Sequence, residues 1–184
     1  MVDETTAASA VAIADSILAA FEPRSVVDVG CGTGALLDRL RGSGVAVKGL
    51  EYTETGLRYC LRRGLEVERF DIERDVLPAR YTGADLVVSM EVGQALDPAK
   101  SERYVGLLCR VADIVIFSSA VPGQDKVIPR NPRPHSFWRA TFESLGFDLD
   151  ESLTLAWRSE WLAKGTATWF SSNVMVIRRT LTRS

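Results

Sequence analysis

Apolar residues recur along this chain with two alternating periods. Short runs rich in Val, Ile, Leu and Phe, at 26–29, 45–50, 66–70, 84–90, 113–119, 147–155 and 172–177, predict strands. Between them, apolar positions three or four apart predict helices. The first is 5–21, where Val11, Ala14, Leu18 and Phe21 share a stripe widened by Ile13 and Ile17, and Pro23 ends it. Others follow at 34–41 (Leu36, Leu37, Leu40), 55–63 (Leu57 and Leu61 inward, Arg58, Arg62 and Arg63 outward), 99–111 (Tyr104, Leu107, Leu108 inward) and 136–145. The run 84–90 is apolar almost throughout, as a central strand covered on both faces should be. Five strand–helix repeats, then a helix and a terminal strand pair, predict an α/β fold: a doubly wound, seven-stranded, mostly parallel, Rossmann-like sheet.

Composition narrows the class. At 184 residues and 46% hydrophobic, the chain suits a single domain spanning 1–184, with 1–22 as a covering helix and 120–135 as a loop over the site. The 22 basic against 24 acidic residues leave no electrostatic footprint for nucleic acid. Asp3 and Glu4 without a basic flank do not make a secretory signal, and no apolar run approaches the ~20 residues that span a bilayer. The expectation is a cytoplasmic protein off the membrane, as monomer or homodimer. Cys31, Cys60 and Cys109 are odd in number and widely spaced. They predict reduced thiols with neither a disulfide framework nor a metal site.

The chemistry concentrates in Val26-Val-Asp28-Val-Gly30-Cys31-Gly32-Thr-Gly34, a strand running into a glycine turn and a helix start. Glycines there let the backbone approach a ligand closely. Gly30-x-Gly32-x-x-Ala35 with Glu51 downstream satisfies a relaxed dinucleotide fingerprint, so an NAD-dependent oxidoreductase is one reading. Asp28 argues against it, because a carboxylate at the strand's mouth would face the pyrophosphate. It suits instead the ammonium group of a ligand such as S-adenosylmethionine (SAM). Val27-Asp-Val-Gly-Cys-Gly-Thr-Gly34 closely resembles the first motif of class I SAM-dependent methyltransferases.

That resemblance covers nearly the whole chain. It implies an antiparallel last strand, SAM as cofactor and S-adenosylhomocysteine as product. It places Asp28, Gly30, Cys31, Gly32 and Gly34 around the methionine portion, Glu51 on the ribose, Tyr52 against the adenine, and Asp71 with Ile72 on the adenine edge and face. Tyr52 reads equally as a surface residue, and Asp71 as the cap of a turn. Met90 and Glu91 close the fourth strand at the same site; Glu91 is a candidate catalytic residue that holds the methionine end or orders the loop, or else only bonds a neighbouring amide. The Asn/Asp-Pro-Pro-Tyr signature of relatives that methylate amino groups is absent after this strand. Gln94-Ala95 stands where many small-molecule relatives carry Glu-His.

The proline-rich stretch 120–134 resembles the substrate loop of small bacterial and phage methyltransferases through Ser119–Gln124, Asn131, Pro134, Phe137 and Trp138, with Pro129 in place of that branch's histidine. His135, the sole histidine, is the candidate proton acceptor, although a lone loop histidine is more often a surface residue. Lys126, Arg130, Arg133 and Arg139 fit an anionic acceptor or a solvated loop. Trp157, Trp161, Trp169 and Phe170 read as packing of a connecting helix, a dimer contact or an aromatic wall. Arg178, Arg179 and Arg183 read as a solvated tail. The implied activity is methyl transfer to a small molecule, at oxygen; a non-catalytic SAM-binding protein is the alternative.

Overall fold

A computed structural model describes residues 2–124 and 130–180, with side chains from residue 7 onward. Seven strands form one sheet in the order β3-β2-β1-β4-β5-β7-β6: β1 (Ser25–Val29), β2 (Ala46–Glu51), β3 (Val67–Arg69), β4 (Leu86–Met90), β5 (Ile114–Ser118), β6 (Phe147–Leu149) and β7 (Met175–Arg179). The first five are parallel. β7 runs antiparallel to both β5 and β6. β1 and β4 are neighbours, and the chain winds away from them in opposite directions. Their carboxyl ends therefore open the crevice in which ligands of such sheets bind.

Alternation along the strands sorts the core into two layers. Val26, Val88, Ile116 and Val176 pack under α1 (Val2–Phe21) and α6 (Glu151–Ala163), together with Ile13, Ile17, Trp157 and Trp161. Val27, Val87, Val115 and Phe117 face α4 (Ser101–Val111) and α5 (His135–Glu143), against Tyr104, Trp138 and Phe142. The helices α2 (Ala35–Gly42) and α3 (Glu54–Arg62) follow the first two strands, and α7 (Thr168–Asn173) precedes the last.

Three expectations are corrected here. The strand predicted at 147–155 stops at Leu149, because the Asp150 carboxylate accepts the Leu153 N–H at 3.0 Å and starts a helix. Leu153, Trp157 and Trp161, four apart, then carry the buried stripe, and Leu155 is exposed. The last strand starts at Met175, since Ser172 belongs to α7, and it absorbs two residues of the supposed tail. Arg178 pairs with Asp150 and Arg179 with Asp113; Arg183 lies outside the described residues. Finally, Leu61 is 77% exposed and α3 instead turns Gly56 and Cys60 inward. A Cβ on Gly56 would sit 2.7 Å from the Gly32 carbonyl, so close approach to the glycine turn, more than hydrophobicity, sets the inner face.

Candidate functional site

Because side chains alternate along β1, Asp28 shares its face with Val26 and points beneath α1. There it lines a cavity of about 240 Å³ with Gly30, Cys31, Gly32 and Met90, roofed by Ala10 and Ile13 of α1 and Phe170 of α7. Asp28 is 5% exposed, and no hydrogen-bond donor or cation among the described residues meets its carboxyl group. Burial, and secondarily the charges of Glu51 and Cys60, push its pKa up to about 8. The buried Thr33 hydroxyl on the same wall likewise has no partner among the described residues. A buried acid and a buried hydroxyl left unmatched around a cavity are what a polar, cationic ligand would complete.

The turn above Asp28 is fixed from outside the cavity. The Gly30 and Cys31 N–H groups both donate to the Leu50 carbonyl, at 2.7 and 3.2 Å, and the Gly32 N–H donates to Glu51 Oε2 at 2.8 Å. Gly30 has φ +80°, and a Cβ there would lie 2.4 Å from Val92 Cγ2; Gly32, at φ +55°, faces open space. Gly30→Ala is therefore expected to lower stability by about 2–3 kcal/mol, and Gly32→Ala by only about 1 kcal/mol, the cost of left-handed backbone alone. Urea denaturation of the two variants checks the order. Gly34 lines neither this cavity nor the next. A Cβ there would strike Leu65 and Cys60, so Gly34 seats the start of α2 against the turn after α3.

A second cavity, of about 530 Å³, shares Gly30 with the first and is bordered by Glu51, Tyr52, Asp71, Ile72, Glu91 and Arg130. Glu51 ends β2 with Oε1 accepting from both the N–H and the hydroxyl of Thr53, each at 2.7 Å. Tyr52 is 55% exposed, with the Arg69 guanidinium 5.7 Å from its ring centroid. Asp71 Oδ1 accepts the Glu73 N–H at 2.9 Å and so caps a turn while its side chain borders the cavity. Ile72 is buried in the same wall.

Glu91 follows β4 with φ +58°, a conformation non-glycine residues adopt at a cost of ~1 kcal/mol or more and one that clusters at functional sites. Its carboxylate accepts from Gln94 Nε2 at 3.0 Å and from Asn173 Nδ2 at 3.3 Å. Asn173, at the end of α7, accepts in turn from His135 Nε2 at 3.4 Å. His135 lines neither of these cavities. It is the first residue of α5 rather than part of a loop, and it borders a separate cleft of about 310 Å³ with Arg158. Burial and the Arg158 charge hold its pKa below the usual histidine value, so the ring is neutral at pH 7. Phe170, one of the aromatic residues read as packing, a dimer contact or a wall, roofs the small cavity, whereas sequence reading missed Asn173 and Val92. Asn173 ends a helix where a strand is predicted, and Val92 carries no local signal.

The loop's other markers have structural work. Asn131 is buried and donates to the Gly93 carbonyl and Ser101 Oγ, while Trp138 is wholly buried against Phe117 and Tyr104. Of the loop cations, Arg130 borders the larger cavity. Arg133 bonds Asn131, Arg139 pairs with Glu143 and Glu151, and Lys126 and Pro129 lie outside the described residues. A wider cleft of about 710 Å³ lies at the opposite end of the sheet, around Arg24, Asp85 and Asp113, where strands begin. Among the described residues, no group of three or more His, Cys, Asp or Glu side chains is placed to hold a metal, and no helix is long and apolar enough to cross a membrane.

The chain is similar to known proteins. The family model described as "Methionine biosynthesis protein MetW" matches residues 13–127. The chain is 32% identical over 126 residues to a ubiquinone biosynthesis O-methyltransferase of Ralstonia nicotianae, covering 60% of this chain and 53% of that protein. It is 28% identical over 120 residues to the enzyme of the same name from Stutzerimonas stutzeri, covering 62% and 48%. The chain thus spans about half the length of the curated relatives it matches. Among solved structures, the magnesium protoporphyrin IX methyltransferase of Synechocystis PCC 6803 with bound SAH superposes with a TM-score of 0.70 at 14% identity, over 96% of this chain and 84% of that one. The class I methyltransferase fold is shared.

Proposed function

The chain belongs to the MetW family, and from that premise we propose that it is a SAM-dependent methyltransferase acting on an oxygen of a small molecule. The observation that carries the reading is the buried, unmatched Asp28 carboxyl facing a cavity beneath the glycine turn. A ligand ammonium supplies the charge this acid lacks, whereas a pyrophosphate would add a second negative charge at the same place. Glu51, held in one orientation by Gly32 and Thr53, has geometry left to accept from ribose hydroxyls. Asp71 and Ile72 border the larger cavity, where an adenine edge and face fit.

Bound SAM supplies a methyl group on an electrophilic sulfonium. The chain's part is alignment and exclusion of water: Ala10, Ile13 and Phe170 roof the small cavity, and Glu91, on the wall of the larger one, is locked by Gln94 and Asn173. Arg130, on the wall of that larger cavity, favours an acceptor bearing a negative group. The oxygen acceptor is supported by two curated relatives named O-methyltransferases. Among the described residues His135 reaches the site through Asn173 and lines neither cavity, which favours a second reading, a protein that binds SAM without turning it over.

Calorimetry with SAM, then assay of S-adenosylhomocysteine release with pooled acceptors, separates these readings. Retention of a nicotinamide nucleotide with no affinity for SAM would falsify both. The pH dependence of binding is a sharper expectation. Asp28 is protonated below about pH 8 in the free protein and must ionise to hold the ammonium, so SAM affinity should rise up to about tenfold per pH unit toward 8. Above the ligand amine's own pKa it should fall again, giving a bell. Titration calorimetry across pH 5.5–9.5, at about half-unit steps, measures it.

A further inference from the structure

We propose that Cys31 and Cys60 form an oxidisable dithiol whose closure to a disulfide shuts the small cavity, a regulatory reading that rests on the cofactor assignment above. The two Sγ atoms lie 3.9 Å apart, Cys31 in the glycine turn and Cys60 on α3. Cys31 is half-buried and borders the cavity, so a small oxidant reaches the pair from the ligand's own side. A glycine flanks each sulfur. A Cβ on Gly49 would come within 2.9 Å of Cys31 Sγ, and one on Gly34 within 2.9 Å of Cys60 Sγ, so larger residues at either place would crowd the sulfurs.

Cys60 itself is buried, so the oxidant meets the pair at Cys31, but the Cys60 thiol is the more acidic of the two. The Cys31 thiol donates toward it and the Arg63 guanidinium stands near, which together hold its pKa below the usual thiol value. The third cysteine is an internal control. Cys109 is buried on α4, at the cleft on the far end of the sheet, and burial pushes its pKa up to about 12.

With hydrogen peroxide as oxidant, one thiolate attacks a peroxide oxygen and breaks the O–O bond. The products are a sulfenic acid and hydroxide, which takes up the released proton as water. The second sulfur then attacks the sulfenic sulfur, the S–S bond forms and a second water leaves. Two thiols and one peroxide give one disulfide and two waters. Bond formation brings the sulfurs from 3.9 Å to about 2.05 Å, and in this proposal the turn carrying Cys31 yields toward α3. That movement pulls on Gly32, whose N–H is bonded to Glu51, and deforms the wall facing Asp28.

The test treats the whole protein with hydrogen peroxide, with and without SAM, and counts thiols after denaturation. Three thiols should fall to one, peptide mapping should find Cys31 joined to Cys60, and dithiothreitol should restore all three. The linked protein should bind SAM at least tenfold more weakly than the reduced one, and bound SAM should slow the linking. Cys60→Ser should bind SAM equally before and after peroxide. Oxidation of Cys109 ahead of the pair, no linkage at all, or linked protein with an unchanged SAM Kd each overturns the proposal. If the reduced protein does not bind SAM, the cofactor reading fails by itself. The gate is then judged by hydrogen exchange of the turn amides at 30–34, which must differ about tenfold between linked and reduced protein; equal rates overturn it.

Discussion

Asp28→Asn is expected to cost at least about 100-fold in SAM affinity while making the free protein more stable, two effects of opposite sign from one atom change. The loss follows from removing a buried carboxylate that meets a ligand charge in a water-poor cavity, where such pairs contribute several kcal/mol. The gain follows from linkage. The folded-state pKa of Asp28 is raised to about 8 from an ordinary value of 3.8, so the folded chain holds a proton that the unfolded chain releases. Stability from this group is full below about pH 4 and is lost progressively as pH rises toward 8. At pH 7 the penalty is on the order of 2–4 kcal/mol, since a tenfold difference in proton affinity between folded and unfolded chain corresponds to about 1.4 kcal/mol. Asparagine carries no such penalty. Thermal melts of the two proteins from pH 5 to 8 should diverge as pH rises, and added SAM should raise the Tm of wild type alone. Equal melts at all pH values would show that Asp28 is ionised and partnered in the free protein.

Trp161→Ala should be the most destabilising single change on the α1 side of the sheet, at about 3–5 kcal/mol. Trp161 is fully buried, stacks on Trp157 with ring centroids 5.3 Å apart, and donates its indole N–H to Ser16 Oγ at 2.9 Å. It therefore joins α6 to α1 through both packing and a buried hydrogen bond. Trp161→Phe keeps most of the packing and loses the bond, so about 1–2 kcal/mol is expected. Denaturant unfolding gives both values. Because α1 supplies Ala10 and Ile13 to the cavity roof, the alanine variant should also bind SAM more weakly than the phenylalanine one.

The first half of the chain was legible because its determinants are local. Strand alternation aims Asp28, the glycine turn follows within six residues, and Glu51 and Asp71 fall just where strands run out. Local signals were weaker where packing decides. The alternation Phe147, Leu149, Leu153, Leu155 mimics a strand, and only the Asp150 cap and the partners of Trp157 and Trp161 convert it to a helix. In α3 the small Gly56 and Cys60 face inward because the glycine turn passes within contact distance, which no hydrophobic pattern records. The contact between His135 and Asn173 joins residues far apart in sequence, and a strand placed three residues too early hid the end of α7.

The roof and the floor of the site come from different stretches of chain. The cradle for the charged end of the ligand is complete by residue 90, whereas Phe170 and Asn173 arrive on a short helix tucked in just before the final strand. On the proposed reading, alterations to that late segment would reshape the space beside Glu91 and the roof over Asp28 together. One short helix would then couple what enters the site to how firmly the donor is held.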